Sequence, residues 1–281
     1  MRTEIFQTPE PVRLDVRLGS GEIRLEASDT TETTVRLEPL RDSESSQSAI
    51  AEARVEQRGD EILVDVRGSR RFLRGVDVLV EIRCPEESSL RTKTGSADIE
   101  GHGRLGSVEV ETGSGDVQFS EVSGDAEINA ASGDVQISRV GGRGRINTAS
   151  GDVQLSSVNG EAKINSASGD VQIREAGSAL EVNTASGDVL VREASSSVSA
   201  NSASGDQTIG SVTEGKVDVK TASGDIKVGI REGSTLWVDA RSRSGEVRSE
   251  LPVSDIPPEG DAPHVELRAN SMSGDITVVR T

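Results

Sequence analysis

Aromatic side chains are almost missing from this chain. Phe6, Phe72, Phe119 and Trp237 are the whole set in 281 residues, and there is no tyrosine. A conventional large core draws much of its buried area from aromatics, so burial here must rest on Val, Ile, Leu and Ala. The single cysteine, Cys84, excludes an intramolecular disulfide framework and a zinc site built from a cysteine cluster. No run of 18 apolar residues occurs, so no transmembrane helix is expected. The opening Met1-Arg2-Thr3-Glu4 leads into no apolar signal region. The expectation is a soluble, cytoplasmic protein, or an envelope-associated or extracellular one if a leader has been removed. Positive charge is short as well: 31 Lys and Arg against 48 Asp and Glu give a net charge of −17. Such a field repels phosphate backbones and anionic lipid, so no nucleic-acid partner is expected. Thirty glycines with eight prolines point to many turns and few long helices.

What is abundant is a repeat. Ser-Gly-Asp triplets start at Ser114, Ser132, Ser150, Ser168, Ser186 and Ser204, in constant 18-residue steps. Ser96-Ala97-Asp98 extends the register upstream. Downstream the steps lengthen, irregularly, to Ser223, then to Ser244-Gly245-Glu246, and most of all to Ser273. Within each unit an apolar-polar-apolar triplet follows the Asp, as in Val135-Gln136-Ile137 and Val171-Gln172-Ile173. A second alternating run precedes the turn, as in Ala162-Lys163-Ile164-Asn165-Ser166. Both have the period of two that marks a strand with one buried face. A further apolar position (Val122, Val140, Val158, Ala176, Ala194, Val212) lies between them.

One 18-residue unit is too small to bury this face alone, but stacked units pairing in parallel can. The fold class expected is all-β, a single-stranded parallel β-helix (β-solenoid) whose coil is one repeat long. The inward positions do not recur every six residues, which favours a right-handed coil over a left-handed hexapeptide one. Residues 91–281 read as regular repeats with a Pro-rich insertion at 251–264. Residues 1–90 read as irregular coils capping the N-terminal end, with strands at 12–16, 21–25, 34–37, 61–66 and 76–82 and one short helix near 49–53. The terminal strand Asp275–Thr281 is expected to close the stack and expose its edge, unless the insertion folds across it.

The serial Ser-Gly-Asp-Val-Gln-Ile turns resemble the bacterial β-strand-repeat proteins of the DUF4097-like family, described as candidate adhesins. So does the strand 76–84, ending in Pro85 and followed by Leu90-Arg91-Thr92-Lys93-Thr94-Gly95-Ser96. The resemblance implies a β-repeat fold, an envelope or extracellular setting and no catalytic residues.

Candidate chemistry is sparse. His102 and His264 are the only histidines, and neither is near a Gly-x-Ser-x-Gly elbow or a cysteine. Both read as exposed loop residues. No catalytic, cofactor-binding or phosphate-cradling motif occurs, so no cofactor is expected. The sharpest candidate is the row Asp116, Asp134, Asp152, Asp170, Asp188 and Asp206, whose stacked carboxylates are candidate calcium ligands. The alternative is that each Asp caps its own turn. A second row, Asn129, Asn147, Asn165, Asn183 and Asn201, reads as an amide ladder bonded from coil to coil. The neighbouring Thr148, Ser166, Thr184 and Ser202 face inward and suggest a hydroxyl ladder. The function expected is a non-enzymatic structural or adhesin-like interaction protein that presents polar ladders to a protein or cell-surface partner. The alternatives are an intracellular polymer-forming scaffold of bactofilin type, self-associating through its ends, and a calcium-dependent binding module.

Overall fold

The computed structural model describes residues 1–66, 76–250 and 263–281, in two compact units, Met1–Gly142 and Arg143–Thr281. Each unit is a stack of parallel β-coils, the β-solenoid that the repeat implies.

The first unit opens with β1 (Arg2–Gln7), β2 (Arg13–Ser28) and β3 (Glu32–Pro39), then helix α1 (Glu44–Glu52). It continues with β4 (Arg54–Arg58), β5 (Glu61–Val66), β6 (Val78–Pro85) and β7 (Ser89–Leu105). Its last coils are β8 (Val108–Ser114) with β9 (Val117–Val122), and β10 (Ala126–Ser132) with β11 (Val135–Val140). From β7 onward each coil pairs with the equivalent residues of the next: Ile128 faces Val110, and Ile137 faces Phe119. The Phe119 ring is buried because its partner in the ladder is Gly101, where an added Cβ would lie 2.4 Å from the ring.

The order in space departs from the order in sequence. Strand β2 lies between β7 on one side and β5 with β6 on the other, all parallel. The outer edges of β5 and β6 are then closed by antiparallel β4 and β3, and β3 pairs with β1. Helix α1 lies against β3 and β5, burying Ala49 and Ile50. It begins earlier in the chain than expected because Ser43 caps it, its hydroxyl accepting the Ser46 N–H at 3.1 Å.

The second unit continues in two strands per coil. These are β12 (Gly144–Ser150) with β13 (Val153–Val158), β14 (Ala162–Ser168) with β15 (Val171–Ala176), and β16 (Leu180–Ser186) with β17 (Val189–Ala194). Next come β18 (Val198–Ser204) with β19 (Gln207–Val212), β20 (Gly215–Ser223) with β21 (Ile226–Ile230), and β22 (Thr235–Ser242) with β23 (Val247–Ser249). The last are β24 (His264–Ser273) with β25 (Ile276–Arg280). Equivalent residues stack in register, so Ile146 faces Ile164 and Val153 faces Val171. The inward rows are fully buried; Ile146, Ile164, Val171 and Val182 each expose 0% of their surface.

The final strands do not close this stack. Strand β24 inserts between β20 and β22, and β25 between β21 and β23. Both edges of the last strands are therefore paired, against the expectation of an exposed terminal coil. Chain composition explains the order. Val265, Leu267, Ala269, Ile276 and Val278 supply an apolar row with 0% exposure, while β22 and β23, with the turn between them, carry Asp239, Arg241, Glu246 and Arg248, the charged side chains that suit an outermost coil. The expected insertion at 251–264 lies outside the described residues except for Pro263 and His264. His264 is the first residue of β24, not a loop residue, and His102 lies within β7.

Candidate functional site

The repeated turn is built by stacking. In the second unit Gly169, Gly187, Gly205, Gly224 and Gly274 all have φ between +116° and +142°, a region that L side chains rarely adopt. Each also sits on the carbonyl of the glycine one coil before: a Cβ on Gly187 would meet Gly169 O at 2.1 Å. The glycine thus meets two demands at once.

The aspartate that follows ties coil to coil. In the first unit the Asp98 carboxylate accepts the Asp116 N–H at 3.0 Å, and Asp116 accepts the Asp134 N–H at 3.0 Å. In the second unit Asp152, Asp170, Asp188 and Asp206 accept the N–H groups of Asp170, Asp188, Asp206 and Asp225, all at 2.8 Å. The run continues from Asp225 to Asp275 and from Asp275 to Glu246, following the spatial order of the coils. Each carboxylate therefore caps the turn of the next coil, where the sequence suggests its own. One oxygen of each is committed to a backbone donor. Among the described residues no group of three or more His, Cys, Asp or Glu stands close enough to hold a metal ion.

In the second unit asparagine amides bond from coil to coil. Asn165 donates to Asn147 at 2.8 Å, Asn183 to Asn165 at 3.0 Å and Asn201 to Asn183 at 3.0 Å. Asn129 occupies the same outward, half-buried position in the first unit, facing Glu111. The hydroxyl row behaves differently from expectation. Thr148, Ser166, Thr184 and Ser202 donate to the carbonyls of Ser150, Ser168, Ser186 and Ser204, two residues on, at 2.9 to 3.1 Å. Each of these hydroxyls thus closes its own corner, while in the first unit Thr94 donates to the Thr112 hydroxyl at 2.9 Å.

Charges pair along the same repeat register. Arg91 meets Glu109 at 2.8 Å, Arg139 meets Glu121 at 2.9 Å, and Lys163 meets Glu181 at 2.8 Å. The Lys163 ammonium, helped by the Asn183 amide, holds the Glu181 carboxyl below its ordinary range. The Cys84 thiol is buried and pushed up to about 11, which leaves it neutral and unreactive.

Two features were not read from the sequence. Gln207 occupies the position of Val189 and Ile226 in the inward ladder and is fully buried. Its amide nitrogen donates to Lys220 O at 2.7 Å, while its oxygen has no partner. The second is a groove of about 640 Å³ on the outward face of the first unit, lined among others by Arg24, Glu26, Arg36, Glu81, Arg83 and His102. The register sets Arg36, Glu81, Arg24 and Glu100 in one row across four strands, and Arg83, Glu26 and His102 in the next. The Arg83 guanidinium meets Glu26 at 2.8 Å, and Arg36 meets Glu38 at 2.6 Å. His102 Nε2 lies 2.8 Å from Glu100 and its Nδ1 lies 3.4 Å from the Ser120 hydroxyl. That is the residue set of a nucleophilic relay, but the ring is 56% exposed. The cross-strand pairs Arg83–Glu26 and Arg36–Glu81 lie beside it in the same groove.

A family model described as Toastrack DUF4097 matches residues 12–214 and again residues 175–279. The chain belongs to the Toastrack DUF4097 family. The two matches together span both units of this Toastrack chain, including the intercalated C-terminal strands. It is also similar to the crystal structure of a candidate adhesin from Bacteroides fragilis NCTC 9343, at 16% identity and a TM-score of 0.42, covering 100% of this chain and 96% of that one. A candidate lipid-binding protein from Parabacteroides distasonis ATCC 8503 is similar at 14% identity and a TM-score of 0.39, covering 99% of this chain and 96% of that one. No curated protein matches the chain.

Proposed function

We propose that this Toastrack chain is a non-enzymatic, adhesin-type interaction protein whose outward ladders make multivalent contacts with a repetitive surface polymer. The observation that carries the reading is the outward register. Gln118 stacks on Gln136, Gln154 on Gln172, and Asn147, Asn165, Asn183 and Asn201 follow one another. Identical polar groups recur at the inter-strand spacing of about 4.8 Å, so a partner with its own short repeat meets several equal contacts at once. Weak contacts linked in this way gain avidity without any deep pocket.

The Asp row supports a structural role in preference to calcium binding, because the carboxylates of Asp116, Asp152, Asp170, Asp188 and Asp206 already accept a backbone N–H. An adhesive role places the chain at the envelope or outside the cell, whereas a scaffold role places it in the cytoplasm; fractionation of the native cell separates them. Binding is tested on an array of immobilised surface polymers (peptidoglycan, teichoic acid, mucin and collagen). The wild type should be retained on at least one of them. The combined variant Gln118→Lys, Gln136→Lys, Gln154→Lys, Gln172→Lys should lose retention while melting normally. Retention on none, or equal retention of the variant, would contradict the reading.

A further inference from the structure

We propose that β22 is a dimerisation edge that pairs antiparallel with β22 of a second copy of this chain. Strands β22 and β23 form the outermost coil of the second unit among the described residues. Strand β22 pairs with β24 on one side and has no strand partner on the other among the described residues. The alternate residues Thr235 and Arg243 direct their N–H groups to Pro263 and Ser271. The N–H and C=O groups of Leu236, Val238, Ala240 and Ser242 therefore point to the open edge, which is a template for another strand.

The core is open at the same place. Leu236, Val238 and Ala240 continue the inward ladder of Val265, Leu267 and Ala269. Those three are 0% exposed, but Leu236, Val238 and Ala240 are only half-buried. In the companion strand Val247 is 45% exposed, although it stacks on the fully buried Ile276. The only tryptophan of the chain, Trp237, stands on the outward face of this edge with the Arg268 guanidinium 5.8 Å from its ring centre. An apolar row that ends half-covered gains burial from one more strand.

A second copy is the occupant that the charges fit. A twofold axis at Ala240 sets Asp239 of each copy opposite Arg241 of the other, giving two reciprocal ion pairs on the outward face. It keeps Val238 and Ala240 on the inward face. An axis at Asp239 sets that carboxylate against itself, and a shift by one residue turns the apolar face outward. Head-to-tail growth is blocked in the first unit, because β5 and β6 already carry antiparallel β4 and β3. The edge of β4 is further guarded by Arg54, Glu56 and Arg58, paired at 3.2 and 2.8 Å. A closed dimer, not a filament, follows.

The test is sedimentation of the full chain across a wide concentration range, with two charge reversals. The wild type should be a dimer that dissociates on dilution. Arg241→Asp and Asp239→Arg, each alone, place like charges across the axis and should be monomers with unchanged melting. Mixed in equal amounts they restore both ion pairs and should form a dimer. The mixture separates this contact from the Asp239–Arg241 pair within one chain, at 2.9 Å, which each variant has lost. A wild type that stays monomeric at every concentration, single variants that remain dimers, or species larger than a dimer would overturn the proposal.

Discussion

Replacing Gly187 by alanine tests whether the turn glycine is required by its backbone angle, by the coil beneath it, or by both. Its φ is +130°, and a Cβ would lie 2.1 Å from Gly169 O and 2.7 Å from Gly169 C. Both neighbours are backbone, which cannot rotate away as a side chain would. The angle alone costs about 1–2 kcal/mol, partly offset by about 0.4–1 kcal/mol from the stiffer unfolded chain. Overpacking against a fixed neighbour adds about 1–3 kcal/mol. Two other glycines separate these parts. Gly233 has φ +91° with nothing within 4 Å, while Gly95 has no positive φ but its Cβ would lie 2.7 Å from Gly19 O. In urea melts, Gly233→Ala should cost about 1 kcal/mol or less, Gly95→Ala about 1–3 kcal/mol, and Gly187→Ala about 3 kcal/mol. If Gly187→Ala costs no more than Gly233→Ala, stacking of the coils at this turn is not what selects glycine.

Four further outcomes follow from the same geometry. Ile164→Asp and Val171→Asn should each destabilise severely, by about 3 kcal/mol or more for an unpaired polar group in the core, whereas Gln172→Lys should be neutral in the same melts; equal sensitivity of Gln172 would invert the inward and outward faces. Millimolar calcium or a chelator should leave the melting temperature unchanged, and a calcium-dependent rise lost in Asp134→Asn would restore the binding-module reading. Lowering of the Glu181 pKa means that its pair with Lys163 contributes above the unfolded carboxyl value and is lost as pH falls through the lower folded value; in Lys163→Met the Glu181 titration, followed by NMR, should move back up, and an unmoved midpoint would refute the pairing. Cys84 should resist thiol reagents in the native chain and react fully in denaturant; fast native labelling would contradict its burial.

The coils were legible because their evidence is local. Ile164 and Val171 show their faces through a period of two, and the constant repeat register places every equivalent residue. The spatial order of the last coils was not legible in this way. Leu236-x-Val238-x-Ala240 and Val265-x-Leu267-x-Ala269 have the same pattern, and only their competition for the edge of β20 decides which is inside. The same holds for β2, whose two neighbours come from segments far along the chain. For the Asp row the sequence leaves calcium ligation and capping both open, and the amide that each Asp accepts belongs to the neighbouring coil, which the turn alone does not specify. The groove is not legible in the sequence because Arg36 and Glu81 meet only through the antiparallel pairing of β3 with β6. Helix α1 was placed late because Ser43, Ser45 and Ser46 resemble a polar loop until Ser43 is recognised as a cap.

The most direct test of the account is how long the chain stays bound as coils are removed or added. Deleting residues 153–170 removes one whole coil and leaves every inward row in register; duplicating the same residues adds one. On whichever surface polymer retains the wild type, dissociation should be faster for the shortened chain and slower for the lengthened one, with all three melting cooperatively. Equal dissociation from the three chains would contradict multivalent contact along the ladders and place the binding at a single site.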